Sequence, residues 1–201
     1  GDTPLTAEEI MELDRYCRAR HIELIPSLSS FGHMYRILST KTCCDLCELP
    51  DSEKIPFSYT YAGDHHTLNV SNPRAVDFIK SLITEYRALF TSKKFNICCD
   101  ETFDLGKGRS KALADEKGEH ALYMAHVVEL CRWLLSQGVT PMFWGDIMWR
   151  HPEAYAEIPE GVICLNWGYL PEQRENEVRD LAQMGANQYV CPGVCTWNRW
   201  L

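Results

Sequence analysis

Short, almost continuous apolar segments recur along the chain, and helical patterns lie between them. Five of these segments predict buried strands, over residues 22–26, 95–99, 141–145, 162–166 and 188–191. Apolar residues spaced three and four apart predict amphipathic helices, over residues 6–20, 72–93, 122–138 and 172–184. Buried strands alternating with helices are typical of a parallel sheet covered by helices. The sequence therefore predicts an α/β fold, as a single domain over residues 1–201.

Polar and aromatic side chains follow the ends of several consecutive predicted strands: His33, Asp100, Glu101, Asp146, Trp167 and Trp197. A (β/α)8 TIM barrel builds its site from the loops after every strand, whereas a doubly wound sheet concentrates its ligand at one switch point and usually carries a glycine-rich phosphate loop there. The sequence contains no such loop. Because a closed barrel takes about 250 residues and eight strands, we expect an incomplete TIM barrel of about five β/α units.

Charge and hydropathy exclude two classes of partner. The chain has 20 Lys and Arg against 28 Asp and Glu, for a formal net charge of −8. Such a field repels phosphate backbones, so we expect no nucleic acid partner. The longest apolar runs fall far short of the roughly 20 residues of a spanning helix, and the first 20 residues lack the apolar stretch of a secretory signal. We therefore expect no membrane partner and a cytoplasmic location.

The cysteines have two interpretations. Most of the ten lie in predicted strands or helices, where a reduced Cys behaves as a small apolar residue. The group Cys43, Cys44 and Cys47 has a C-C-x-x-C spacing that also suits zinc, with His65 and His66 as the nearby candidates. No second CxxC or His pair follows at a finger-like distance. We expect reduced thiols and no metal, with zinc as the weaker alternative.

Asp100 and Glu101 directly follow the predicted strand 95–99. Adjacent side chains in a strand point to opposite faces, so both acids serve one site only where the strand ends and the backbone turns. Two close carboxylates in a poorly solvated pocket favour one acid and one anion, which is the arrangement that general acid catalysis needs. The alternative is that the pair only caps the following helix.

The segment 95–101 resembles the strand-four motif of glycoside hydrolase family 20, the β-N-acetylhexosaminidases, in which small residues precede an Asp-Glu pair. Further motifs of that family follow in the same order along the chain: Ile25-Pro26 with Phe31-Gly32-His33, then Phe143-Trp144-Gly145-Asp146, then Leu165-Asn166-Trp167. The turn 30–34 and the pair Trp197-Asn198 resemble in particular the branch related to hexosaminidase D. The resemblance covers nearly the whole chain and implies strands 3 to 7 of the barrel.

The resemblance implies retaining hydrolysis of terminal N-acetylhexosamine (GlcNAc or GalNAc) residues of glycans, in which the substrate's own acetamido oxygen attacks the anomeric carbon. Asp100 would orient the acetamido group, Glu101 would act as general acid and then base, and His33 would hold the pair by hydrogen bonds. Three tryptophans would wall the sugar and two polar residues would bind its hydroxyls: Trp144, Trp167 and Trp197, with Asp146 and Asn198. No cofactor and no metal are implied.

The chain departs from the family where Ser29 replaces a common acid four residues before His33, and where Cys98 and Cys99 replace smaller residues. Two alternatives therefore stay open. One is a conventional two-carboxylate glycosidase that pairs Glu101 with Asp146, and the other is a sugar-binding barrel domain without catalysis. An incomplete barrel leaves hydrogen-bonding groups exposed at the edges of its sheet, so we also expect self-association.

Overall fold

A computed structural model describes residues 3–55, 65–169 and 175–193. Four strands form one parallel sheet in the order β1 (Lys94–Asn96), β2 (Thr140–Trp144), β3 (Ile163–Gly168) and β4 (Gln188–Pro192). Each strand pairs with the next one in the chain, with no reversal of order. This sequential arrangement is that of a barrel, because a doubly wound sheet reverses its strand order at the switch point. The predicted α/β class and barrel-type topology are confirmed.

Seven helices accompany the sheet in the described ranges: α1 (Ala7–Arg18), α2 (Tyr35–Leu38), α3 (Ala75–Arg87), α4 (Lys111–Lys117), α5 (Glu119–Ser136), α6 (Asp146–Arg150) and α7 (Glu175–Gln183). Short 3-10 turns lie at Cys44–Leu46, Ser52–Lys54 and Pro152–Glu157. The Thr-x-x-Glu pattern that starts at Thr6 predicts a capping box, and the structure forms it at the start of α1. The Glu9 amide donates to Thr6 Oγ1 at 3.2 Å, and the Thr6 amide donates to Glu9 Oε2 at 2.8 Å. No helix in the described parts of the chain has the length and apolarity to cross a bilayer.

The two faces of the sheet pack differently. Phe95, Phe143 and Cys164 point toward the helices and join the main core, which includes buried residues along α3 and α5. Met142, Ile163 and Leu165 point to the other face and form a second, smaller cluster with Ile25, Trp144 and Cys191 at its margin. An inner layer of side chains from neighbouring strands, separate from the helix-covered core, is characteristic of a barrel interior.

The first predicted strand is an extended segment that forms a single bridge. Ser27 pairs with Asn96 of β1, the Asn96 amide donates to the Pro26 carbonyl at 2.9 Å, and the Leu28 amide donates to the Asn96 carbonyl at 3.0 Å. Regular strand structure also ends at Asn96, three residues before the predicted end at Cys99. The reason is that Cys98 and Cys99 adopt left-handed backbone conformations, which no regular strand contains.

The mixed polarity and the several Pro and Gly of residues 39–69 predict an excursion over the surface, whereas the structure buries part of this segment. Cys47, Glu48, Thr67 and Leu68 are fully buried, and Cys47 and Leu68 form an antiparallel bridge. The surface prediction was wrong for these residues, because this part of the segment pairs with itself and packs against the turn that carries His33. The Leu68 amide donates to the Phe31 carbonyl at 2.8 Å.

The described cysteines carry free thiols. Burial raises the pKa of Cys47, Cys98 and Cys99, the last of these well above the usual value for a thiol. Within the described residues no three His, Cys, Asp or Glu side chains converge as metal ligands do, and this includes Cys43, Cys44 and Cys47. The buried cysteines therefore behave as small apolar residues.

Candidate active site at the carboxyl end of the sheet

Asp100 and Glu101 lie where the chain leaves β1 through a run of unusual backbone conformations. Cys98, Cys99 and Glu101 have φ angles of 59°, 65° and 49°. Left-handed conformations cost residues other than glycine roughly 1 kcal/mol or more and persist only where the surroundings enforce them. Because the strand pattern is broken here, the side chains of both acids reach the same histidine.

Buried hydrogen bonds enforce this path. The Cys98 amide donates to Asn96 Oδ1 at 2.9 Å, and the Tyr123 hydroxyl of α5 donates to the Cys99 carbonyl at 2.9 Å. The Ser30 hydroxyl donates to the Ile97 carbonyl at 2.6 Å. These hydrogen bonds to groups in the core hold the backbone between β1 and Asp100 in place.

His33 bridges the two carboxylates. Its Nε2 lies 3.3 Å from Asp100 Oδ2 and 3.1 Å from Glu101 Oε2. The side chains are partly shielded, with exposed fractions of 42% for His33, 22% for Asp100 and 42% for Glu101. The hydrogen bond to Asp100 raises the pKa of His33, and the charges of Asp100, Glu101 and Asp146 act in the same direction, while burial opposes them. His33 is thus prepared to hold a proton between two acids.

Gly32 places this histidine. The backbone at Gly32 passes so close to the acids that an added Cβ would overlap the carbonyl oxygen of Asp100 and approach that of Glu101 at 2.8 Å. Only a residue without a side chain fits this approach. The Gly-His pair predicted from the sequence is therefore held against the backbone of the Asp-Glu pair.

A second layer lies behind His33. The His33 amide donates to Nδ1 of His66 at 2.8 Å, and the His66 amide donates to Oδ2 of Asp104 at 3.1 Å. His66 and Asp104 are each 2% exposed. From the sequence, His66 was a candidate only for the alternative zinc site, and Asp104 was not predicted as a site residue. Their contacts depend on a fold-back of residues 65–69 that no spacing in the sequence indicates.

A cavity of about 650 Å³ opens beside Glu101. Asp146, the first residue of α6, and Trp167, near the end of β3, line it, so three predicted site residues meet there. Tyr123, Lys107, His120 and His151 also line it and were not predicted. The rings of His120 and His151 lie 4.6 Å apart, and that of Trp167 lies 5.0 Å from Tyr169.

Trp144 lies on β2 beside this site, where its amide donates to the Cys98 carbonyl at 2.9 Å. It packs at the margin of the inner cluster with Met142, and it is not part of the cavity lining. Its predicted contact with a sugar stays a prediction. Trp197 and Asn198 lie outside the described residues.

A barrel-type sheet with adjacent acids, a histidine between them and a cavity with an indole wall at the carboxyl ends of its strands defines a class: the α/β-barrel glycoside hydrolases. The model of the glycosyl hydrolase family 20 catalytic domain matches residues 2–196. The chain belongs to this family, as the sequence motifs indicated.

Relatives and solved structures agree. Hexosaminidase D from Bos taurus is 24% identical over 170 residues, which is 80% of this chain and 46% of that protein. Chitobiase from Flavobacterium johnsoniae superposes with a TM-score of 0.74 at 20% identity, over 94% of this chain and 28% of the other. N-acetyl-β-hexosaminidase from Streptomyces plicatus, solved with Thio-NAglucal, gives 0.69 at 25% identity, over 96% and 35%. The chain thus spans less than half the length of these proteins.

Proposed function

We propose that the chain carries the acid–base machinery of a retaining β-N-acetylhexosaminidase that removes terminal GlcNAc or GalNAc from glycans. The observation that carries the proposal is the contact of one histidine with both Asp100 and Glu101 at the mouth of a cavity. Membership of family 20 supports it, and so does the relative from Bos taurus, whose name is Hexosaminidase D.

The two acids have different surroundings, which supports different roles. Glu101 lines the cavity and has the more exposed side chain, so it is placed to exchange a proton with a leaving group and then with water. Asp100 is more enclosed and directs one oxygen to His33. A fixed, shielded carboxylate suits the orientation of an acetamido group and the stabilisation of positive charge that develops on its nitrogen.

The proposed reaction has two steps. First, the acetamido oxygen of the substrate bonds to the anomeric carbon while the glycosidic bond breaks, and Glu101 gives its proton to the departing oxygen. The product is a bicyclic oxazolinium ion, beside the carboxylate of Glu101. Second, Glu101 takes a proton from water, whose oxygen attacks the anomeric carbon and reopens the ring. Two inversions give net retention, and no carboxylate bonds to the sugar.

Removal of the Glu101 proton donor tests the proposal. In the complete gene product that carries these residues, we expect release of nitrophenol from nitrophenyl N-acetyl-β-glucosaminide. Glu101→Gln should lower kcat by about 10²- to 10⁴-fold, which is the usual contribution of a general acid–base group. Glu129→Gln is the matched control, because Glu129 is a carboxylate on α5 that pairs with Lys80 and lies outside the cavity lining. An unchanged rate in Glu101→Gln would contradict the proposal.

A two-carboxylate glycosidase remains the second candidate, since Glu101 and Asp146 line the same cavity. It would use Asp146 in place of the substrate's amide and would cleave a plain nitrophenyl glucoside as fast as the acetamido sugar. Asp146→Asn would then be more damaging than Asp100→Asn. Calorimetric binding of N-acetylglucosamine by an intact protein that hydrolyses neither substrate would instead favour a sugar-binding domain.

A further inference from the structure

His33 reaches the two acids from a backbone conformation that it does not prefer. Its φ angle is 55°, in the left-handed region, which His adopts only occasionally. The orientation of the His33 ring therefore depends on contacts that hold this backbone. The contact that the structure provides at the His33 amide is the hydrogen bond to Nδ1 of His66.

His66 is itself fixed on several sides. Its amide donates to Asp104 Oδ2 at 3.1 Å, and its carbonyl accepts from the Met34 amide at 2.9 Å. Its ring lies edge-on to Phe103, with centroids 5.8 Å apart, and 5.3 Å from the ring of His33. Asp104 also accepts from the Thr67 amide at 3.3 Å. A buried carboxylate thus anchors the peptide that carries His66.

The hydrogen bond fixes the protonation of His66. A backbone amide only donates, so Nδ1 must accept, and the proton of the neutral ring then lies on Nε2. A proton on Nδ1 would remove the acceptor and leave the His33 amide without this partner. The arrangement therefore requires His66 to carry no proton on Nδ1, while His33 lies between the two acids.

We propose that His66 is a positioning residue for the reaction, which holds the backbone of His33 so that one imidazole reaches both Asp100 and Glu101. This inference rests on the proposed function. It differs from a general structural role because it concerns one acceptor atom, Nδ1, and predicts that other groups with an acceptor at that place will substitute for it.

Two substitutions of His66 separate the acceptor from the ring. Asn places its acceptor Oδ1 the same number of covalent bonds from the backbone as Nδ1 of His66. Phe instead keeps an aromatic ring and removes the acceptor. In the complete gene product we expect His66→Phe to lower kcat by about 10- to 100-fold, because small displacements of reacting groups have effects of that size. KM should change less than about twofold, since His66 does not line the cavity. His66→Asn should retain most of the wild-type kcat.

Leu68→Val provides the control for lost packing. Leu68 is fully buried on the same segment and holds Phe31 through its backbone amide, which the substitution leaves intact. We expect a lower Tm with an unchanged kcat and pH profile. Equal loss of kcat in Leu68→Val and His66→Phe, or in His66→Asn and His66→Phe, would overturn the inference.

The titration of His33 gives a readout that does not need activity. The groups that face His33 are Asp100, Glu101, Asp146 and His66. When the ring is released from the acids, its raised pKa should fall toward the usual value for histidine. We expect this fall, measured by NMR, in His66→Phe and not in His66→Asn or Leu68→Val. An unchanged pKa of His33 in His66→Phe would refute the positioning role even if the wild type cleaved no hexosaminide.

A measurement on the wild-type protein tests the proposal even if a variant misfolds. Nitrogen-15 NMR of the imidazoles should show His66 with Nε2 protonated and Nδ1 bare at neutral pH. A proton on Nδ1 of His66 would exclude the hydrogen bond from His33 and with it the proposal. If the wild type is inactive on acetamido sugars while this tautomer and the His33 titration hold, the proposed function fails, and the placement of the His33 ring by His66 stands for whatever reaction the two acids serve.

Discussion

The two edges of the sheet differ in backbone pairing and exposure among the described residues. At the β1 edge, residues 26–28 lie alongside the strand, where Pro26 accepts from the Asn96 amide and Leu28 donates to the Asn96 carbonyl. At the β4 edge, Tyr189 and Val190 are 43% and 46% exposed, and β4 pairs with β3 alone among the described residues. The β1 edge carries the two acids and His33, whereas the β3–β4 side carries Trp167.

This difference separates two tasks of a sugar site. Proton transfer requires tight placement of a few atoms, and the β1 edge provides it through backbone contacts and buried hydrogen bonds. An aromatic wall tolerates more freedom, because a sugar packs on an indole over a broad area. We therefore expect disturbances of the β1 edge to reduce kcat, and disturbances of the other side to affect mainly stability, substrate binding or association.

Among the tests of this comparison, the largest effect should come from a pair of glycine substitutions, one on each side. Gly32→Ala would drive a methyl group into the carbonyl of Asp100, and backbone atoms cannot move without displacing both acids. Gly145→Ala would meet the sulfur of Cys164 instead. We expect Gly32→Ala to lower kcat by about 100-fold or more, and Gly145→Ala mainly to lower stability by about 1–3 kcal/mol. Nitrophenol release and urea unfolding measure the two effects.

A second substitution tests whether overlap with Cys164 causes the loss of stability in Gly145→Ala. Cys164→Ala removes the sulfur that Gly145→Ala would strike, so the double variant should recover stability relative to Gly145→Ala alone. No side-chain substitution should rescue Gly32→Ala, because its obstacle is backbone. If Gly145→Ala reduces kcat as strongly as Gly32→Ala, the two sides are equally demanding and the comparison fails.

The next effect concerns the stability of the protein on acidification, through a buried histidine beside the turn that precedes Gly32. His126 of α5 is buried, and its Nε2 lies 3.1 Å from the carbonyl of Ser30, two residues before Gly32. Burial lowers its pKa from 6.5 to about 4, against the opposing effect of that hydrogen bond. Below pH 6.5 the unfolded chain binds a proton that the folded chain excludes. The free energy of unfolding therefore decreases as the pH falls from 6.5 to about 4. The loss reaches about 3 kcal/mol, since each pH unit between the two pKa values is worth about 1.4 kcal/mol.

His126→Gln is the matched variant, because its amide still donates to a carbonyl but does not titrate. We expect a lower free energy of unfolding at pH 7 and a shallower decline between pH 6.5 and 4.5 than in the wild type. His33 should act in the opposite direction. Its raised folded pKa contributes stability that is present below about pH 6.5 and is lost as the pH rises through the folded value. Parallel acid slopes in wild type and His126→Gln would contradict this account.

The smallest effect concerns association through the β4 edge. An exposed strand edge with apolar side chains pairs readily with another copy, and a lysine on such an edge opposes pairing. We expect weak, concentration-dependent self-association in sedimentation velocity, reduced by Val190→Lys and unchanged by an added charge near the covered edge, as in Ile22→Lys. A monomer at every concentration would show that the open edge is harmless.

The sequence predicted the fold where the pattern was local. The apolar segments around Phe143, Cys164 and Val190 became strands, and the capping box at Thr6 began α1. It also predicted that Asp100 and Glu101 follow β1. It placed the strand end three residues too late, because no propensity indicates that Cys98 and Cys99 adopt left-handed conformations. Two hydrogen bonds enforce these conformations. The hydroxyl of Tyr123, which is distant in sequence, donates to the Cys99 carbonyl, and the side chain of Asn96 accepts from the Cys98 amide.

The sequence alone determined the parallel α/β architecture and the family, since these depend on the period of apolar residues and on short motifs that do not require knowledge of long-range contacts. The packing of the folded chain was needed to show that residues 65–69 fold back under the turn at His33, so that His66 and Asp104 form a second layer of the site. The physical reason is that a hydrogen bond between residues 33 and 66 is set by how two buried segments pack, and their packing leaves no spacing signal in either one.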